Sequence, residues 1–152
     1  MKVTIVSSDK DLMQLVSDNV SMLDTMKNKI VQKGEVYEKF GVYPEKVIDV
    51  QSLAGDSVDN IPGVPGIGIK TAALLINEYG NLDGLFKNAE SIKQKKRREN
   101  IIEFEEQAYL SKKLVTLRDD VPLPIPIQET GLKDIDSNKL ISFLKELSLI
   151  HI

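Results

Sequence analysis

Residues 60–72 read NIPGVPGIGIKTA, and this stretch decides how the chain is organised. Three glycines and two prolines lie within residues 62–68, and a mainly apolar run follows directly. Glycine permits backbone angles and close approaches that other residues resist, whereas proline fixes φ and removes a donor. The pattern predicts a tight turn that opens into a helix.

Two familiar glycine-rich loops do not match this stretch. In the phosphate-binding loop of nucleotide hydrolases, G-x-x-x-x-G-K-[ST], the lysine follows the second glycine directly. Gly63 and Gly68 have the right separation, but Ile69 intrudes and places Lys70 out of register. The dinucleotide fingerprint needs a preceding strand and a third glycine, and the sequence supplies neither at the required position.

The third interpretation is a helix-hairpin-helix over residues 47–79. The helix VIDVQSLAG leads into the turn, and a second helix begins near Gly68. Free amides of its first turn, together with the helix dipole, favour a phosphate, so the contact would read the DNA backbone without sequence preference. The alternative is a helix connection that is merely rich in glycine. The predicted DNA contacts are Gly63, Val64, Gly66, Ile67, Gly68, Ile69, Lys70 and Thr71.

The segments on either side of the turn differ in character. Before it, KVTIVSS predicts a strand, DKDLMQLVSD a short helix, NVSMLDT with KIVQK a hairpin, and KGEVYEKFG a helix closed by Gly41. After Pro44, helices are predicted at PEKVIDVQSLAG, GIKTAALLINEYG, NLDGLF, NIIEFEEQAYLSKKLVTL and DSNKLISFLKEL. The prolines of DDVPLPIPI predict an extended segment that wraps over the helices. The predicted fold class is a partial α/β layer in residues 1–41, followed by a mainly α subdomain in residues 44–150.

Composition narrows the possible functions. The 152 residues are 41% hydrophobic and 28% charged, as in an ordinary soluble domain. Cysteine is absent and the single histidine is His151, which argues against disulfides, thiolate metal sites and histidine triads. The apolar runs are too short to span a bilayer, and no signal-peptide pattern is present, so we expect no membrane partner and a cytoplasmic location.

Positive charge is concentrated in one short run. The net charge of −3 argues against a simple nucleic-acid binder, yet KQKKRR holds five basic residues in six. The run precedes a helix expected to begin near Asn100, where positive charge opposes the helix dipole unless a polyanion relieves the conflict. A solvated linker is the alternative. The candidate secondary phosphate contacts are Lys93, Lys95, Lys96, Arg97 and Arg98.

Four aspartates form the candidate metal ligands. Asp9 and Asp11 follow the first strand, and Asp56 and Asp59 lie in the loop before the hairpin. Hard divalent cations prefer carboxylate oxygens, and a pair of such ions can activate water and stabilise the leaving oxygen of a phosphodiester. Alternatively, Asp9 is a plain helix N-cap and Asp56 a turn residue.

Three segments, SSDKDLMQLV, LAGDSVDNIPGVPGIGIKTA and EQAYLSKKLVTLRDDVPL, resemble the 5′-3′ exonuclease domain of bacterial DNA polymerase I, which is related to the flap endonucleases. The resemblance covers nearly the whole chain and implies a SAM-like helical subdomain. It implies that Asp9, Asp11, Asp56 and Asp59 bind Mg²⁺ or Mn²⁺, that residues 63–71 hold duplex or flapped DNA, and that hairpin carbonyls bind K⁺. The implied function is the trimming of 5′ ends and flaps in primer removal and repair.

The resemblance is to the C-terminal half of that domain only. The first strands of the family, its first metal-binding aspartates, its acidic cluster and its basic arch have no counterpart here. We therefore expect an open sheet edge at KVTIV that invites pairing with a separate N-terminal half. Three hypotheses stay open: a Mg²⁺-dependent 5′ nuclease, a catalytically silent DNA-binding module, and an interaction piece that completes a split nuclease.

Overall fold

The computed structural model describes residues 1–132, 134–147 and 149. His151 therefore lies outside the described residues. The chain forms two compact units, residues 1–117 and residues 118–152. The sheet and the hairpin helices both belong to the first unit, and the expected domain boundary between residues 41 and 44 stays a prediction.

A three-stranded sheet occupies the N-terminal part of the first unit. Its strands β1 (Val3–Val6), β2 (Val20–Asp24) and β3 (Lys29–Val31) lie in the order β1-β2-β3. The β1 and β2 strands are parallel, whereas β2 and β3 form the predicted antiparallel hairpin. Among the described residues β1 pairs with β2 alone, and the Val6 side chain is 64% exposed. The predicted open edge is thus present.

Two short helical segments flank the strands. The predicted helix after β1 is a 3₁₀ helix, Lys10–Leu15, and α1 (Lys33–Phe40) follows β3. A capping box between Gln32 and Glu35 fixes the start of α1, because each satisfies a backbone donor of the other. Gly41 ends the helix at φ 72°, a left-handed angle that glycine adopts without cost, as the sequence predicted.

Five helices build the remainder of the first unit: α2 (Val47–Ala54), α3 (Ile69–Tyr79), α4 (Leu82–Lys87), α5 (Lys95–Glu103) and α6 (Glu105–Val115). Short 3₁₀ turns lie at Pro44–Lys46 and Ala89–Ser91. The central helix is α2, which packs against both α3 and α6. Its side chains Val47, Val50 and Leu53 are fully buried. Each such burial contributes roughly 1.5–3 kcal/mol, so α2 anchors the arrangement of the hairpin.

The single long helix predicted from Asn100 is wrong in two respects. The helix begins earlier, at Lys95. It is also interrupted at Phe104, where φ is −103° and ψ is 25°, and a second helix, α6, starts at the next residue. Lysine, arginine and glutamate are good helix formers, so the basic run itself adopts the first turn of α5. The unfavourable interaction between positive charge and the helix dipole therefore occurs within the first turn of α5 itself.

Polar side-chain contacts connect α2 with α6, and connect the 3₁₀ helix after β1 with the end of α6. The Lys112 ammonium of α6 lies 2.8 Å from Asp49 Oδ1 of α2, and the Asp49 side chain is only 10% exposed. Gln14 Nε2 donates to the Val115 carbonyl at 2.9 Å, and Gln14 Oε1 accepts from Leu117 N at 3.2 Å. The α/β part and the helical part are therefore connected by side-chain hydrogen bonds as well as by apolar packing in the core.

The second unit contains a 3₁₀ turn, Ile127–Glu129, and the helix α7 (Ser137–Glu146). Asp136 caps α7 by accepting from the amides of Asn138 and Lys139. The proline-rich residues 119–126 form no helix or strand, in agreement with the prediction, while the proposed wrapping over the helices stays a prediction. Over the described ranges, no helix is both long enough and apolar enough to cross a membrane.

Candidate nucleic-acid interface and carboxylate set

The hairpin turn joins the end of α2 to the start of α3 through a contact between two glycine backbones. Gly55 and Gly63 have φ of 69° and 60°, and a Cβ on Gly63 would lie 2.6 Å from Gly55 Cα and 2.7 Å from the Ala54 carbonyl carbon. Only glycine accommodates both the angle and the approach. The glycines at these two positions therefore set how closely the turn folds back on α2.

Three polar side chains from α5 and α6 hold this turn in place. Ser111 Oγ accepts from Gly63 N at 3.0 Å, and Gln107 Nε2 donates to the Gly63 carbonyl at 2.6 Å. Asn100 Nδ2 donates to the Pro65 carbonyl at 2.8 Å. Our sequence reasoning missed these residues. Their spacing of seven and four is the sequence signal, since it would place them on one face of the single helix predicted there.

The predicted contact segment 63–71 divides into an inner and an outer part. Gly63, Val64 and Ile67 are buried, and Val64 N donates to the Leu53 carbonyl at 2.7 Å. These inner residues are engaged within the chain. The outer residues Gly66, Gly68, Ile69 and Lys70 are exposed, and Thr71 is half-buried. Gly68 is the N-cap of α3, so the first-turn amides of this 11-residue helix face outward without a capping side chain.

The basic run lies beside the hairpin. A pocket of about 250 Å³ is lined by Gly66, Ile67, Gln94, Lys96, Arg97 and Asn100. It therefore combines the turn with the first turn of α5. Lys93 and Lys95 are also exposed, whereas Arg98 donates to the Ile92 carbonyl at 3.0 Å and lies 3.9 Å from Glu90. Lys96 and Arg97 are thus the members of the run that share a surface with the hairpin.

Asp56 is a largely enclosed member of the four candidate metal ligands. Two backbone hydrogen bonds with Ile61 close its loop, and its carboxylate accepts from Val58 N at 3.0 Å. Its side chain is 7% exposed and forms an ion pair with the Lys10 ammonium. That hydrogen-bonded pair lowers the pKa of Asp56 and raises the pKa of Lys10. Asp56 thus combines the expected turn role with a charged contact.

The other three aspartates have different surroundings. Asp11 Oδ1 accepts from Gln51 Nε2 at 2.6 Å, and Asp9 Oδ1 accepts from Asp11 N at 2.9 Å as the N-cap of the 3₁₀ helix. Asp59 is exposed. Asp11 and Asp59 are close enough to the Lys10 ammonium to contribute to its raised pKa. Three of the four carboxylates therefore act on the Lys10 ammonium.

The donor set suits a divalent cation in its chemistry. Across the described residues, no three histidine, cysteine, aspartate or glutamate side chains are grouped as a metal site. Carboxylate oxygens are nevertheless the ligands that hard cations prefer. In this structure the Asp56 carboxylate forms an ion pair with the Lys10 ammonium. The assignment of Asp9, Asp11, Asp56 and Asp59 as metal ligands stays a prediction.

An α/β layer followed by a helix-hairpin-helix with a basic flank agrees with the resemblance described for the sequence. Residues 42–138 match the family described as "5′-3′ exonuclease, C-terminal SAM fold". The chain belongs to this 5′-3′ exonuclease family. The resemblance found in the sequence and the predicted fold class are both confirmed.

Curated relatives and a solved structure agree with the family. Over 95% of its own length, the chain is 57% identical to DNA polymerase I of Rhizobium leguminosarum. Over 95% of its own length, it is also 39% identical to a 5′-3′ exonuclease of Buchnera aphidicola. It spans 14% of the former and 52% of the latter. A flap endonuclease of bacteriophage T5, solved as a pseudo-enzyme-product complex with DNA and metal ions, has a TM-score of 0.70 and 29% identity, over 75% of this chain and 42% of that one.

Proposed function

We propose that this chain is the DNA-holding half of a 5′-3′ exonuclease, which binds duplex or flapped DNA without sequence preference. The observation that carries the proposal is the single pocket shared by Gly66 of the hairpin and Lys96 and Arg97 of α5. Free amides from the start of α3 supply hydrogen-bond donors, and the basic side chains supply charge. Together they suit consecutive phosphates of one strand, as in primer removal and repair.

The orientation of the outer residues supports backbone recognition. Lys70 and the α3 amides project from a turn whose inner residues are fixed by Ser111, Gln107 and Asn100. These outer groups are donors, which match phosphate oxygens and read no base. A K⁺ ion at the hairpin carbonyls stays a prediction. The carbonyls of Gly63, Val64 and Pro65 each already accept one hydrogen bond within the chain.

The first experiment compares two double charge reversals. Lys96→Glu/Arg97→Glu removes the basic side of the shared pocket, and we expect at least about tenfold weaker binding to a labelled duplex, with a shallower dependence on salt. Fluorescence anisotropy in EDTA measures this binding without any contribution from divalent metal.

The matched control is Lys2→Glu/Lys33→Glu. These lysines line a different pocket of the same unit, at the β1–β2 edge. The control changes the net charge equally and should bind DNA nearly as well as the parent chain. Equal losses of DNA affinity in both double variants would show that only the net charge matters. That result would contradict a defined DNA interface at Lys96 and Arg97.

We further propose that Asp9, Asp11, Asp56 and Asp59 contribute one side of a Mg²⁺ or Mn²⁺ site in the nuclease. Bound there, the ion would supply a positive charge that activates water and stabilises phosphate oxygens. The chain itself positions these carboxylates: Gln51 orients Asp11, and the loop closed by Asp56 and Ile61 fixes Asp56. The open edge of β1 supports a separate N-terminal half as the partner that completes the site.

Cleavage of 5′-labelled flap DNA with Mg²⁺ separates the enzyme from a silent binding module. Activity of the chain by itself that is lost in Asp56→Ala would support the enzyme proposal. Intact flap DNA, combined with normal duplex binding, would instead support the catalytically silent module. A gel that resolves single nucleotides under denaturing conditions gives the result directly.

A further inference from the structure

Lys10 lies between two candidate metal ligands in the sequence and contacts a third in space. Asp9 and Asp11 flank it, and its ammonium pairs with Asp56 in the loop after α2. The Asp56 side chain is 7% exposed, so few waters surround this carboxylate. Lys10 therefore neutralises a largely enclosed member of the carboxylate set.

An ammonium and a divalent cation compete for the same carboxylate. Both are attracted to the Asp56 oxygens, and two positive ions within a few ångströms repel one another. The hydrogen bonds between Asp56 and Ile61, at 2.8 and 2.7 Å, fix the backbone of this loop. The flexible four-carbon stem of lysine makes Lys10, rather than Asp56, the partner that moves.

We propose that Lys10 is an internal counter-ion, which holds the Asp56 carboxylate when no divalent ion is present and is displaced when one binds. The inference deepens the proposed function, since it rests on the carboxylates being a metal site. It assigns Lys10 a positioning role toward the site and no contact with DNA. A lysine that only stabilised the loop would leave metal affinity unchanged, so the two roles differ in a measurable way.

Binding of Mn²⁺ to the chain without DNA tests the proposal. Lys10→Met removes the competing charge while retaining the apolar stem, and electron paramagnetic resonance of free Mn²⁺ should show affinity that is about fivefold or more tighter. The control is Lys33→Met, which removes a lysine paired at 2.7 Å with Asp18, outside the carboxylate set. Its Mn²⁺ affinity should equal that of the parent.

Thermal melting provides the second readout. In EDTA, Lys10→Met should melt at a lower temperature than the parent, because Asp56 loses its partner, and saturating Mn²⁺ should close that gap. Lys10→Gln serves the same comparison if the methionine variant does not fold.

Three results would overturn the inference: equal or weaker Mn²⁺ affinity in Lys10→Met, no detectable Mn²⁺ binding by either protein, or a melting gap that persists at saturating Mn²⁺. Each is distinct from failure of the proposed DNA function. That function is measured in EDTA on variants that leave Lys10 in place.

Discussion

Gly63→Ala should lower the free energy of unfolding by at least about 3 kcal/mol, because backbone strain and a backbone clash combine. The new Cβ would meet the Gly55 backbone, with 2.6 Å to its Cα, and the residue would still need φ of 60°. Backbone atoms at this contact have no side-chain freedom with which to relax. Urea denaturation followed by circular dichroism measures the loss.

Gly34→Ala is the matched control for this substitution. Gly34 lies in α1, and no heavy atom of the described chain would come within 4 Å of a Cβ there, beyond its own neighbours and helix backbone. Alanine at this position should stabilise the chain by about 0.5–1 kcal/mol, since it favours the helix. An unchanged stability of Gly63→Ala would mean that the two glycine backbones can separate without loss.

Lys112→Met should also be strongly destabilising, by about 2–3 kcal/mol. Removing one partner of a buried ion pair typically costs about 3–5 kcal/mol of stability, because the other charge is left without a counter-ion. The Lys112 side chain is 35% exposed, which reduces the expected loss here. Asp49 is 7% exposed, and Asp49 Oδ1 has no hydrogen bond of good geometry within the described chain. Its stabilisation therefore depends on the ammonium.

A double variant separates charge from packing at this pair. Asp49→Asn in combination with Lys112→Met removes both charges while retaining most of the volume, and it should recover a large part of the lost stability. Lys113→Met, at the exposed neighbouring position, should change stability by no more than about 0.5 kcal/mol. Equal losses in Lys112→Met and in the double variant would show that Asp49 does not need its cation.

Local sequence signals predicted most of the fold. Gly41 ends α1 and Gly55 ends α2 because helix termination with positive φ is a local event, readable from one glycine. The β2–β3 hairpin follows from alternating residues around a short turn. The break at Phe104 was missed, because the residues on both sides of it form helix and no glycine or proline marks the interruption.

The candidate site was harder to predict from the sequence than the fold was. Glycine and lysine at the hairpin predict an exposed helix start, which the structure contains at Gly68 and Lys70. The internal engagement of Gly63 by Ser111 and Gln107 joins residues 48 and 44 positions apart, and no local pattern specifies such pairs. The ion pair of Lys10 with Asp56 is likewise a product of tertiary structure. The metal and DNA roles of these residues stay predictions.

The support of the turn by Ser111, Gln107 and Asn100 also determines the thermodynamics of any ligand that docks there. A turn already ordered by its own protein loses little conformational entropy on association, so the ligand need not supply that ordering. The outward groups are amides and ammoniums, which remove little apolar surface from water. Complex formation should thus have a small change in heat capacity and be driven largely by the release of counterions from the polyanion.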